Sequence, residues 1–211
     1  MIISSNNYSI DVFHNAAILD QGSRNKQKFR LLKQAIDSCQ VSGLNCEFGV
    51  HEGFTINRIA KFLGNEIIYG FDSFEGLPES WQMNQSISLD QGHFAIPELP
   101  LVAPNVRLVK GWFDSSIPSW KTTHAETIKF IHIDCDLYSS TKTVLNNLND
   151  QISPGTVIVF DEFYYWARPA EYTNWADHEY RALGEWILEH NRKFEILSRN
   201  NYFQCAIRIT Q

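Results

Sequence analysis

The chain has 211 residues, 44% of them hydrophobic and 20% charged, which is the balance of a globular protein and a length that suits one α/β domain. Its formal charge of -6, from 18 Lys and Arg against 24 Asp and Glu and without a basic run, excludes a nucleic-acid or anionic-membrane partner and favours a small-molecule substrate. No stretch of about 18 apolar residues spans a membrane, the polar first fifteen residues do not resemble a secretory leader, and Cys39, Cys46, Cys135 and Cys205, scattered singly, read as reduced thiols of a cytoplasmic protein.

Residues 1–23 show no clear period and are expected to order only on packing or ligand binding. Residues 24–39 carry Phe29, Leu32, Ile36 and Cys39 at helical spacing, so an amphipathic helix is expected to cover the sheet or the ligand site. Residues 44–48 then read as a strand, 49–53 as a tight glycine turn, and 54–63 as a helix with Ile56, Ile59, Ala60 and Leu63 on its apolar face. Such a turn brings bare backbone and a helix N-terminus close to a ligand. A dinucleotide site would place a second glycine where His51 stands, leaving Glu47-x-Gly49-x-x-x-Gly53. A second strand over 66–71 ends at Asp72, about 20 residues past the last glycine, where a carboxylate can hold a ribose diol; taken singly, Asp72 could equally cap a helix.

The spacing of Glu47, Gly49 and Gly53 resembles the first motif of class I S-adenosylmethionine-dependent methyltransferases. On this motif alone, any glycine turn between strand and helix remains an alternative. The resemblance implies a Rossmann-like, seven-stranded α/β sheet with helices on both faces and an antiparallel last strand. It also implies cofactor contacts from Glu47, Gly49, Val50, His51 and Gly53, with Asp72 and Ser73 beyond the second strand. Two longer blocks narrow the family. Residues 69–78, Tyr-Gly-Phe-Asp-Ser-Phe-Glu-Gly-Leu-Pro, and residues 106–118, a third strand and its following loop, are similar to the macrocin O-methyltransferases. Those enzymes methylate sugar hydroxyls of natural products. Between the blocks, residues 77–104 lack a period and are read either as part of a substrate mouth lined by Trp81, His93 and Phe94 or as a surface excursion tucked by its aromatics.

Residues 128–133 form a buried-type strand ending at Asp134, Cys135 and Asp136. A helix over 139–148 follows, with Ser139, Ser140 and Thr141 as cap candidates. The next strand, 156–160, ends at Asp161 and Glu162. Ligands bind beyond the carboxyl ends of such strands, so these acids should meet, and a cation would offset their repulsion. Oxygen donors suit Mg²⁺.

Residues 133–141, the later Pro154-Gly155 and the acidic pair look like the metal-binding region of the same family. That resemblance implies Asp134, Asp161 and Glu162 as metal ligands, Asp136 as a ligand or a group behind one, and Asp134 as both base and cofactor neighbour; His178, near the expected substrate side, is the runner-up base. The family commonly has two aspartates where this chain has Asp161-Glu162, and the lysine that related catechol enzymes place three residues after the first metal aspartate is replaced by Leu137. Residues 163–175 hold Tyr164, Tyr165, Trp166, Tyr172 and Trp175, read as a pocket wall or a core edge. A helix over 177–190 and strands over 194–197 and 202–209 close the chain.

The implied activity is S-adenosylmethionine-dependent, Mg²⁺-dependent O-methylation of a small hydroxyl-bearing molecule. Rival readings are metal-free N- or carboxyl methylation and a non-catalytic cofactor-binding module. A homo-oligomer is left open.

Overall fold

A computed structural model describes all residues, 1–211. The elements in chain order are β1 (Ile2–Ile3), α1 (Ile10–His14), α2 (Arg24–Asp37), β2 (Leu44–Phe48), α3 (Phe54–Leu63), β3 (Ile68–Asp72) and the two-residue strands β4 (Trp81–Gln82) and β5 (Ser88–Leu89). There follow β6 (Val106–Lys110), α4 (Phe113–Lys121), β7 (Ile128–Ile133), α5 (Tyr138–Leu148), β8 (Ile152–Phe160), α6 (Glu179–Glu189), β9 (Phe194–Arg199) and β10 (Cys205–Ile209).

Side-chain alternation along the central strands sets the layers. Val157 and Val159 of β8 pack with Leu31 and Leu32 of α2 and Ile56 and Ile59 of α3, whereas Ile158 and Phe160 pack with Val144 and Leu145 of α5 and Leu183 and Trp186 of α6. Successive residues of a strand face opposite ways, so a strand buried on both faces has to be apolar throughout. All four apolar positions expected on α3 are buried, each such Ile or Leu contributing about 1.5–3 kcal/mol.

The main sheet has eight strands in the order β1-β9-β10-β8-β7-β2-β3-β6. From β8 to β6 neighbouring strands are parallel, and β10 is antiparallel to both of its neighbours. Seven strands follow the sequence expectation. The eighth is β1, paired antiparallel with β9 in the segment that shows no period, because two residues cannot express one. A helix also stands where residues 113–118 were expected to form a loop: α4 forms despite Pro118 because Ile117 and Trp120 are buried against the sheet. No helix is long and apolar enough to cross a membrane.

Candidate active site

The parallel strands β2, β3, β7 and β8 end side by side, and backbone hydrogen bonds tie their exits together. The Gly49 N–H donates to the Phe71 carbonyl at 2.9 Å, that of Asp134 to Phe48 at 2.8 Å, and that of Asp161 to Ile133 at 2.9 Å. Gly49 has φ +90, and a Cβ there would lie 1.8 Å from the Asp134 carbonyl oxygen. Only glycine lets the turn pass so close to the next strand. Asp72 then pins the turn: one carboxylate oxygen accepts the N–H groups of Val50 and His51, both at 2.8 Å, and the other accepts that of Phe74 at 2.7 Å.

A cavity of about 470 Å³ opens over these strand ends, within the size range of small-molecule sites. Of the residues expected at the site, Gly49, Val50, His51, Asp72, Ser73, Asp134 and Glu162 line it. So do Asp136, Trp81 and Phe94. Asp136 has φ +63 and the Leu137 N–H donates to the Cys135 carbonyl at 2.6 Å, a three-residue turn that is strained for a non-glycine residue. His51 and Phe94 also have positive φ, so the surrounding structure holds the cavity wall against local preference.

Other expected residues stand elsewhere. Gly53 is the left-handed N-cap of α3, beyond the lining. Glu47 is fully buried beneath the turn and does not reach the cavity; its Oε1 meets His132 Nδ1 at 2.9 Å. His178 also lies off the cavity, with Nε2 on the Gln82 carbonyl at 3.1 Å and its ring stacked on Tyr172, and burial lowers its pKa. The aromatic run from Tyr164 to Trp175 does not line the cavity. The backbone of Phe163 and Trp166 instead pairs with Phe203 and Tyr202; Tyr164 and Trp166 pack against the main core, and Tyr165, Tyr172 and Trp175 pack behind the cavity wall with Leu77, Trp81 and Phe203. Nor do Ser139, Ser140 or Thr141 cap α5; its N-cap is Leu137.

Beneath the cavity lies a charged network. Glu47 and His132 are side by side in the β2/β7 register, on the face covered by α2 and α3. His132 Nε2 meets Asp161 Oδ1 at 3.1 Å, and the other Asp161 oxygen accepts from Lys28 Nζ of α2 at 2.8 Å. Lys28 also donates to Asp134 Oδ2 at 3.1 Å. Burial pushes the Glu47 carboxyl up to about 7 against the pull of His132. Burial would lower His132, but its hydrogen bonds to Asp161 and Glu47 outweigh this and raise it to about 9. Asp161 is held well below the usual carboxylate range because Lys28 and His132 overcome the cost of its burial.

In the remaining acids burial and like charge prevail, in Asp134 even against its hydrogen bond from Lys28. Burial, then the charge of Asp161, raises Asp134, Glu162 and Glu179, and burial with the charge of Asp134 raises Asp136. One oxygen each of Asp134, Asp161 and Glu162 lie within 4.8 Å of one another. Glu162 Oε2 is buried without a partner, as is Oε1 of Glu179, whose other oxygen accepts the Glu162 N–H at 3.0 Å.

The sequence reading did not find Lys28, Arg24 or Glu179. The available signal was position: Arg24 and Lys28 precede Leu31 and Leu32 at helical spacing, and Glu179 opens the apolar face of α6.

A sequence profile described as Macrocin-O-methyltransferase (TylF) matches residues 15–184. The chain is 32% identical to the 8-demethyl-8-(2,3-dimethoxy-alpha-L-rhamnosyl)-tetracenomycin-C 4'-O-methyltransferase of Streptomyces olivaceus, with 44% of this chain and 40% of that protein covered. To the mycinamicin III 3''-O-methyltransferase of Micromonospora griseorubida it is 28% identical, with 58% and 53% covered. The chain thus spans about half the length of these curated relatives, 40% of one and 53% of the other. Among solved structures, calicheamicin methyltransferase CalS11 superimposes with a TM-score of 0.65 at 22% identity, covering 88% of this chain and 80% of that one. The O-methyltransferase NovP gives 0.59 at 19% identity, with 87% and 80% covered. Identities this low establish the shared fold.

Proposed function

Because the chain belongs to the macrocin O-methyltransferase family, we propose that it works as one domain that transfers the methyl group of S-adenosylmethionine to a hydroxyl of a small molecule, with a sugar of a natural product or glycan as the acceptor class. The observation that carries this is the cavity itself, which joins the glycine turn and the end of β3 to the acids that follow β7 and β8. Both relatives are O-methyltransferases, and the substrate in the first one's name carries a rhamnosyl group, which supports the acceptor class.

The roles follow from what each residue offers. Gly49 leaves bare backbone beside the strand ends and Asp72 fixes the turn; its three backbone partners leave one lone pair on Oδ1, which together with the Ser73 hydroxyl on the cavity wall can accept from a ribose diol. Trp81, Phe94, Trp112 and Phe113 supply apolar faces that exclude water from the methyl group. Transfer forms an oxygen–carbon bond and breaks a sulfur–carbon bond, giving a methyl ether and S-adenosylhomocysteine. The hydroxyl proton must leave, and Asp134, whose carboxyl lines the cavity, receives it. His178, turned to Gln82 and off the cavity, is not placed to do so.

The donor set fits a divalent cation. Asp134, Asp161 and Glu162 offer oxygens within one ion's reach, and Glu162 Oε2 is a buried oxygen donor without a hydrogen-bond partner. These three would hold Mg²⁺, with Asp136 beside them. The ion would lower the pKa of the acceptor hydroxyl and fix it in line with the methyl group.

Calorimetry with S-adenosylhomocysteine and Mg²⁺, on wild type and Asp161→Ala, tests the reading. Expected are cofactor-product binding in both proteins and a Mg²⁺ signal lost in the variant. Wild type that does not bind S-adenosylhomocysteine refutes the methyltransferase reading.

A further inference from the structure

The ammonium of Lys28 occupies the part of the site that a divalent cation would need. Nζ is 3.1 Å from Asp134 Oδ2 and 2.8 Å from Asp161 Oδ2, two of the three carboxylates that can converge on one ion. The remaining Asp161 oxygen is taken by His132. Two cations cannot share these oxygens closely, because like charges repel strongly where water is excluded.

The lysine is delivered by a fixed element through a flexible stem. Gln27, its neighbour on α2, donates to the Asp20 and Gly22 carbonyls at 2.8 and 2.9 Å and accepts the Asn201 N–H at 3.2 Å, so the helix start is anchored on both sides. One turn earlier, Arg24 lies over the Phe203 ring and lines the cavity. Lys28 itself does not line the cavity and its side chain is 13% exposed, so the ammonium reaches the acids from behind, under α2. Its four-carbon stem lets the head group withdraw without moving the helix.

We propose that Lys28 is a built-in counter-cation that competes with the divalent ion for Asp134 and Asp161, holding the acids together when no ion is present and withdrawing when one binds. This rests on the reading of those acids as the ion site.

Three measurements test it. Mn²⁺ titrated into Lys28→Met, followed by electron paramagnetic resonance, should bind at least roughly tenfold more tightly than to wild type, and to Lys28→Arg no more tightly than to wild type. The melting temperature of Lys28→Met should fall without divalent ions and recover in Mg²⁺ by more than wild type gains. In wild type, labelling with acetic anhydride followed by mass spectrometry should find Lys28 protected without divalent ion and reactive with Mg²⁺, a readout that does not depend on the variant folding.

Equal or weaker Mn²⁺ binding by folded Lys28→Met overturns the proposal, as does wild-type Lys28 that stays protected while Mg²⁺ is bound. Wild type that binds S-adenosylhomocysteine in parallel calorimetry confines such a failure to the lysine. Loss of that binding as well would remove the methyltransferase reading itself.

Discussion

Gly49→Ala tests the link between the turn and the acids, because the two meet at one backbone contact. A Cβ at Gly49 would sit 1.8 Å from the Asp134 carbonyl oxygen, whereas ordinary contact begins at 3.4 Å, so the two strand ends must part by roughly 1.5 Å. Gly53→Ala is the control. Its φ of +80 imposes similar backbone strain, but its nearest neighbours would be at 3.4 Å, an ordinary contact. Left-handed strain costs either variant about 1–2 kcal/mol. The clash at position 49 adds about 1–3 kcal/mol of overpacking. Urea unfolding should therefore place Gly49→Ala about 2–5 kcal/mol below wild type and at least about 1 kcal/mol below Gly53→Ala. Calorimetry with S-adenosylhomocysteine should show about a hundredfold weaker binding for Gly49→Ala, since a shift of this size misplaces the turn and Asp134 together. If Gly49→Ala unfolds and binds no worse than Gly53→Ala, the close approach is not what holds the site.

The His132 bridge predicts a pH dependence. Its folded pKa lies above the unfolded value, so its stabilisation is complete below 6.5 and is lost as pH rises through about 9. At about 1.36 kcal/mol per unit, this fully buried group should cost wild type on the order of 3 kcal/mol between pH 6.5 and 9.5. Urea titrations across that interval should be flatter for His132→Gln, and parallel curves for the two proteins would refute the bridge. Asp134→Asn should lower turnover by about a hundredfold or more while S-adenosylhomocysteine still binds; near-normal turnover would remove Asp134 as the proton acceptor.

The elements that carry a periodic signal were legible from the residues. Ile56, Ile59, Ala60 and Leu63 mark the buried face of α3, and Asp134, Asp161 and Glu162 do end neighbouring strands. Legibility stops where tertiary contacts decide. α4 contains Pro118 and holds its place through Ile117 and Trp120, β1 is too short for a pattern, and Lys28 meets Asp134 across 106 residues of chain. The aromatic run after Glu162 offered a wall or a core edge, and backbone pairing with residues 202–203 places it at the core edge.

Why the acids divide as they do follows from how the sheet is buried. Residues at alternate positions of β2 and β7 must face α2 and α3, so Glu47 and His132, one before each strand's last residue, enter that layer as charged or polar groups among apolar ones. Such groups are tolerable only if paired. They pair with each other, His132 pairs with Asp161, and Asp161 with Lys28, which consumes both oxygens of Asp161. The network therefore ends at Asp134, which alone among these residues also faces the cavity. Glu47, deep beneath the glycine turn, is thereby linked through His132, Asp161 and Lys28 to the cavity-lining Asp134.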